Sequence, residues 1–445
     1  MSAGTDRATA TEVHAGQHIV HVGFHASEAH AVDFDADRVT VVLPRASAAR
    51  LPEELAARFA RVALLDLPAS GDVSNADLDT YDRNFDRIRA VVESLAAEFG
   101  PPAAIVGLYE HTTLPAARLR EHFGLQGTSV RTAVLCRDKV PMKQAVAAAG
   151  IPVPRFLAVG PDTGRAELEA FAHRAPGRVV LKPRSQAASI GVHILDDAAA
   201  LLGLAAEGGL EAGYEAEEFI DGSIYHIDGV VQDGTLRWFC ASRYLDTCFD
   251  FQHGNAPLAA VTPDDPALVA RIRAFTTTVL RTLGLRDSVI HLELFHTPGD
   301  ELVFLEIGNR FGGAGISWHQ RTVFGVDLAR EAVLACMGRP SEVSTPRTML
   351  DHRDPASSGW LYLPLNVPEP RVVSRITGLE DLPDSVLGSR VPAVGDVLRG
   401  TGDVWPNTGG FLVGGPSPTE VEKDMARIVD TYALTTAPAA PAKEE

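Results

Sequence analysis

Asp287-Ser-Val-Ile-His-Leu-Glu293-Leu-Phe-His-Thr-Pro-Gly-Asp-Glu-Leu-Val-Phe-Leu-Glu306-Ile-Gly-Asn-Arg310-Phe-Gly-Gly313 holds two β-rich runs, Val289 to His296 and Glu301 to Ile307, about the turn-forming Thr297-Pro-Gly-Asp300. The spacing predicts a hairpin of two antiparallel strands, with Glu293 and Glu306 on neighbouring strands. Carboxylates inside otherwise apolar strands are costly to bury unless a cation or hydrogen-bond donors compensate them. A divalent metal does so. Oxygen ligands favour Mg²⁺ over zinc, and Mg²⁺ held by one or two carboxylates usually also holds substrate phosphates. Arg310, four residues after Glu306, carries a planar guanidinium suited to gripping a phosphoryl oxygen. The competing reading is a surface hairpin whose glutamates face water, and the hairpin alone does not choose between them.

The chain has 445 residues, more than one hydrophobic core usually serves, and its 45% hydrophobic content suffices for several packed cores. Forty Lys and Arg against 58 Asp and Glu give a formal net charge of −18, with no basic block, which argues against a nucleic-acid partner. Cys136, Cys240, Cys248 and Cys336 show no Cys-x-x-Cys spacing, so neither a zinc site nor a disulfide scaffold is expected. The first ten residues lack a hydrophobic signal region. No apolar run approaches the roughly 20 residues of a membrane span. The expectation is a cytoplasmic protein with no membrane partner.

Residues 1–16 read as a polar tail. His18 to Gly23, Arg38 to Leu43, Ala60 to Leu65 and Ala103 to Gly107 are strand candidates, separated by helical patterns such as Leu51 to Phe59 and Asn84 to Phe99. This alternation predicts a doubly wound parallel sheet. Ligands of such sheets bind beyond the carboxyl ends of the strands, which places Glu110 and His111 at a crevice, unless they are simply solvated loop residues. Next comes a helix through Lys139 and Lys143, ended by Gly150. A strand carrying Lys182 follows, then the small-residue loop Ser185-Gln-Ala-Ala-Ser189-Ile-Gly191, whose backbone N–H groups can cover phosphates beside a lysine. Glu217 to Gly222 ends a further strand and Tyr225 to Val231 begins another, read as an antiparallel pair around a turn. From about 345 onward short strands are expected at Gly359 to Pro364, Arg371 to Ile376 and Gly409 to Gly414, then a helix from Thr419 to about Tyr432 and a disordered Ala/Pro tail.

In this order and at these spacings the motifs resemble the ATP-grasp superfamily, in its carboxylate–amine ligase branch, and within it the bacterial L-amino acid ligases that make dipeptides. The resemblance runs from about residue 18 to 435. It implies an α/β protein: an N-terminal doubly wound domain (17–133), two α+β ATP-grasp subdomains clasping ATP (a lid, 134–222, and a larger one, 223–342), and a small β-rich C-terminal subdomain (343–434) before the tail (435–445). It further implies that Lys139 and Lys182 bind ATP phosphates, with the loop containing Ser185, Ser189 and Gly191 closing over them. Glu217 would face the adenine amino group, with Phe219 and Ile220 as the hinge against the ring. Glu293 and Glu306 would hold Mg²⁺ or Mn²⁺, and Arg310 would steady the transferring phosphoryl group. Asp250 and His253 resemble the family's acidic residue and histidine on the substrate side of the metal, where they would orient the amine or accept its proton. Gly312, Gly313 and Ala314 resemble the loop beneath the acceptor. Trp318 and His319 are read as packing residues of a helix continuing to Cys336.

Two positions depart from the superfamily pattern. Ile224 stands where a ribose-binding Glu is common. Gly308 occupies the Asn place of Glu-x-Asn-x-Arg, which leaves the third metal ligand open and makes Asp250 the expected substitute. The implied activity is ATP-dependent amide or peptide bond formation between small-molecule carboxylate and amine substrates, through an acyl phosphate, with release of ADP and phosphate. Alternatives are an acceptor amine on a carrier protein or amino sugar, and a non-catalytic nucleotide-binding module. The family also suggests a homodimer.

Overall fold

The computed structural model describes residues 16–67, 78–254, 256–365, 370–398 and 407–439; residues 1–15 and 440–445, where most of the expected tails fall, lie outside the described residues. The first four strands are His18–Val22, Arg38–Pro44, Arg61–Leu65 and Ala104–Val106. They pair in parallel with Arg61–Leu65 at one edge, Ala104–Val106 at the other and His18–Val22 beside the latter. Alternate side chains serve opposite faces, as the two-residue strand period requires: Val42 packs with helix Phe85–Phe99 through Ile88 and Val92, while Val39, Val41 and Leu43 pack with Phe24 and Phe59. The expected doubly wound sheet is therefore present. The helical pattern at 51–59 shortens to Glu53–Ala56.

A second four-stranded sheet, in spatial order Phe156–Val159, Tyr214–Glu218, Val179–Pro183, His193–Leu195, is antiparallel throughout. Its core of Val159, Leu168, Phe171, Val179, Leu181 and Leu201 is separate from the others. The strand Tyr214–Glu218 belongs to this sheet and Ser223–Gln232 to the next, so the expected pairing of these two across a turn is not formed. Each has better partners on both sides, and residues 219–222 instead carry the chain from one sheet to the other.

The central sheet has nine strands among the described residues. The hairpin Ser288–His296 and Leu302–Gly308 forms one edge, and Ser223–Gln232, Thr235–Tyr244 and Leu258–Val261 follow in order. Helix Pro266–Leu283 covers it. That helix begins with Asp265, whose carboxylate accepts from Ala267 N, and Pro266 in its first turn, and it stops at Gly284, whose φ of +75° is the left-handed conformation glycine adopts freely. Leu268, Val269, Ile272, Thr276, Val279, Leu280 and Leu283 form its buried stripe. Burying each of the leucines, isoleucine and valines contributes roughly 1.5–3 kcal/mol.

The strands after residue 343 divide between two sheets: Arg371–Thr377, Val397–Leu398 and Ala433–Pro438 pair among themselves, and others join the central sheet. Ser357–Pro364 pairs with Leu258–Val261, and Asn407–Gly415 and Val386–Arg390 extend the same sheet, so the expected boundary near 343 falls within one sheet. Helix Pro418–Thr431 packs on this extension through Val421, Met425 and Ile428. The expected disorder is corrected for the first residues of that tail: Ala433–Pro438 is a strand, antiparallel to Arg371–Thr377. Arg371 fastens it by donating to the Thr436 hydroxyl at 3.0 Å and to the Thr436 carbonyl at 3.1 Å. Among the described residues all four cysteines are free thiols, as expected, and no helix is long and apolar enough to cross a membrane.

Candidate active site

The hairpin sets Glu293 directly opposite Glu306. Both carboxylates reach a cavity of about 650 Å³ that is also lined by residues of the second four-stranded sheet, of the first sheet's loops and of the segment after Arg310. Lys139, at the start of helix Lys139–Ala148, sends its ammonium to Glu306 (3.2 Å) and donates to the Gln186 carbonyl at 2.6 Å. One helical turn later Lys143 lies on the same inward face. It is fully buried and holds Glu215 at 2.6 Å and Glu217 closer still. Lys182 donates to the other oxygen of Glu217 at 2.5 Å. Burial alone would raise Glu217, but Lys143 and Lys182 outweigh it and hold this carboxyl at about 2. Glu215 is raised instead, because burial there exceeds the help it receives from Lys143.

Arg310 donates from Nε to Glu110 at 2.5 Å and from Nη1 to the Phe311 carbonyl at 2.9 Å. Glu110 also faces Arg137 at 3.4 Å, and the guanidiniums of Arg310 and Arg137 overcome its burial, bringing its pKa to about 2. Neighbouring His111 stacks on Tyr109, and burial together with nearby cations lowers it to about 3, so it is neutral near pH 7. Behind the hairpin, Asp228 accepts from His226 Nδ1 at 2.7 Å and His291 Nδ1 at 3.0 Å, while His291 Nε2 stands 3.4 Å from Glu293 Oε1. Asp228 is fully buried, yet both imidazoles hold its carboxyl well below the usual range. Glu293 is likewise lowered, its burial outweighed chiefly by His291.

Most residues singled out from the sequence meet at this cavity. Lys139, Lys182, Ser189, Glu217, Phe219 and Ile220 line one part; Glu293, Glu306 and Arg310 the centre; Glu110, His111, Gly312, Gly313 and Ala314 the remainder. Glu217 is bonded to two lysines rather than left open to a base amino group. Ser185 and Gly191 belong to the loop but do not line the cavity: Ser185 donates to Asp79 at 2.8 Å, and Gly191, at φ +70°, lies against Pro183 and Tyr214.

Asp250 and His253 are not brought to the site. Helix Cys248–Gly254 turns them outward, where Asp250 accepts from the Thr247 backbone N–H (3.1 Å) and hydroxyl (2.6 Å), and His253 bonds the Phe249 carbonyl and stacks on its ring. The expected third metal ligand is therefore not Asp250: its carboxylate is consumed in capping its own helix. The helix expected to run from Trp318 to Cys336 is two, Ile316–Phe324 and Leu328–Cys336, broken at Gly325 with φ +64°. His319 is a core residue as expected, whereas Trp318 lines the cavity. Sequence reading missed Lys143, Glu215, Asp228 and His291. Lys143 was legible from its spacing of four from Lys139, and His291 from its spacing of two from Glu293 on one strand face.

No family model matches the chain. It is 27% identical over 250 residues to an L-arginine-specific L-amino acid ligase of Bacillus subtilis, covering 54% of this chain and 59% of that one. It is 25% identical over 291 residues to an alanine–anticapsin ligase of Bacillus subtilis strain 168, covering 59% and 60%. The chain thus spans about three-fifths of the length of these curated relatives. Among solved structures, an L-amino acid ligase from Bacillus licheniformis superposes with a TM-score of 0.69 at 18% identity, over 94% of this chain and 98% of that chain. The biotin carboxylase domain of the Hydrogenobacter thermophilus 2-oxoglutarate carboxylase, solved with MgADP and bicarbonate, gives 0.68 at 16% identity over 94% and 90%. The fold is that of the ATP-grasp enzymes.

Proposed function

We propose that this chain is an ATP-dependent carboxylate–amine ligase acting on small molecules, with an amino acid as the carboxylate donor and a second amino acid as the amine. The observation that carries the reading is the in-register pair Glu293 and Glu306 at the cavity wall, within reach of Lys139 and beside Arg310. Two carboxylates on rigid neighbouring strands fit a divalent cation, Mg²⁺ or Mn²⁺, and would hold it. When bound, that ion neutralises phosphate charge during phosphoryl transfer.

A carboxylate resists attack because its charge repels a nucleophile and oxide is a poor leaving group; an acyl phosphate removes both obstacles. Lys139 and Lys182 supply fixed positive charge for the nucleotide phosphates, with Glu306 and the Gln186 carbonyl holding the end of Lys139 and Glu217 that of Lys182. Phe219 and Ile220 offer apolar surface for a purine ring. Arg310, steadied by Glu110, steadies the transferring phosphoryl group and then the acyl phosphate. Gly312, Gly313 and Ala314 leave room for the amine beside it. The names of the curated relatives and of the Bacillus licheniformis structure support the amino acid specificity. An ATP-consuming reaction of this kind suits the cytoplasm.

The test is a matrix of paired amino acids screened for phosphate release, with mass spectrometry of the product. ADP and phosphate alongside a dipeptide are expected. AMP with pyrophosphate would overturn the acyl-phosphate route, and turnover surviving in Glu306→Gln would overturn the assignment of the site.

A further inference from the structure

We propose that His291 is the third protein donor to the divalent cation, binding through Nε2, with buried Asp228 fixing its orientation. This rests on the nucleotide-site reading above and concerns which atoms complete it. Glu293 and Glu306 face one another across the hairpin, and the next pair on the same strand face is His291 and Gly308. Gly308 carries no side chain that could donate to the cation, and a Cβ there would press on Arg310 Cγ at 3.2 Å. The donor from this rung therefore has to come from the opposite strand. His291 supplies one, with Nε2 at 3.4 Å from Glu293 Oε1 and the ring lining the cavity.

The other ring nitrogen is already committed. Nδ1 donates to Asp228 Oδ1 at 3.0 Å, and Asp228 is held on its far side by His226 at 2.7 Å. A carboxylate behind one imidazole nitrogen is the arrangement that orients a metal-binding histidine and strengthens the opposite nitrogen as a donor. Gly312 closes the rear of the pair, since a Cβ there would stand 2.8 Å from both Asp228 Oδ1 and His291 Nδ1. Any proton on Nε2 passes to solvent as the cation enters. A nitrogen among the ligands shifts preference from Mg²⁺ toward Mn²⁺, which tolerates imidazole better.

Pulsed EPR of Mn²⁺ and ADP bound to the full chain tests this, using protein labelled with ¹⁵N in histidine so that the adenine nitrogens are distinguishable. The expected spectrum shows ³¹P coupling from the nucleotide together with ¹⁵N coupling from one directly bound histidine, and His291→Gln keeps the first while losing the second. Asp228→Asn is expected to weaken Mn²⁺ binding about 10–100-fold. Phosphorus coupling without histidine coupling would overturn the proposal and leave the nucleotide site standing. Absence of phosphorus coupling would overturn the nucleotide site itself, and this proposal with it.

Discussion

Lys143 shows how much of the site depends on one residue that faces no open solvent. Its ammonium is buried between Glu215 and Glu217, and Glu217 in turn holds Lys182, so these four side chains share one pocket against the second four-stranded sheet. A buried network of this kind loses far more when one partner is removed than it gains by forming, because the remaining charges stay desolvated. Lys143→Met should therefore destabilise the protein by about 3–5 kcal/mol, read from urea denaturation. Arg310→Lys tests a different property. It keeps the charge but loses the fork that reaches Glu110 and the Phe311 carbonyl at once. Turnover is expected to fall about 100-fold with little change in denaturation midpoint, and a midpoint shift as large as that of Lys143→Met would assign Arg310 to structure instead.

At the scale of elements, the loop from Phe311 to Gly315 is shaped by what it lies on. A Cβ at Gly312 would come within 2.5 Å of Ile316 Cδ1 as well as meeting Asp228 and His291. Gly312→Ala should cost about 1–3 kcal/mol by overpacking, and steady-state kinetics should show activity lost beyond that, because the displaced groups stand behind Glu293. Gly313, whose Cβ would meet nothing within 4 Å, is the control, and Gly313→Ala should fold normally. The hairpin was legible because its signals are local: a Thr-Pro-Gly-Asp turn between two β-rich runs. The strand Ala433–Pro438 was not, since its Ala- and Pro-rich composition argues for disorder and its partner lies some sixty residues earlier. Asp250 and His253 misled for a related reason. Their spacing fits chemistry and helix capping equally, and the hydroxyl of Thr247, which decides between these, is part of the same short helix entry. Likewise, nothing local to Tyr214–Glu218 and Ser223–Gln232 reports that each already has partners in a different sheet.

For the whole molecule, acid stability is set largely by buried neutral histidines. His21, in the first strand, is fully buried with neither ring nitrogen bonded, and His319 is fully buried with Nε2 on the Ser358 hydroxyl and Nδ1 unpartnered. Burial lowers both to about 3 from an ordinary value of 6.5. Below pH 6.5 the unfolded chain takes up these protons and the native protein does not, so falling pH favours unfolding by about 1.4 kcal/mol per pH unit for each histidine. Carboxylates act later. Glu110 and Glu217, depressed to about 2, contribute stability that is present above their unfolded value of 4.5 and lost as pH falls from there toward about 2. Between pH 6.5 and 4.5 these two glutamates contribute little slope, and the histidines dominate the comparison. Between chemical denaturation at pH 7 and pH 5, His21, His319 and likewise His111 should each contribute about 2 kcal/mol of lost stability. His21→Leu should remove about 2 kcal/mol of that difference while Glu110→Gln leaves it unchanged. An unaltered difference in His21→Leu would move the acid sensitivity to groups nearer the site.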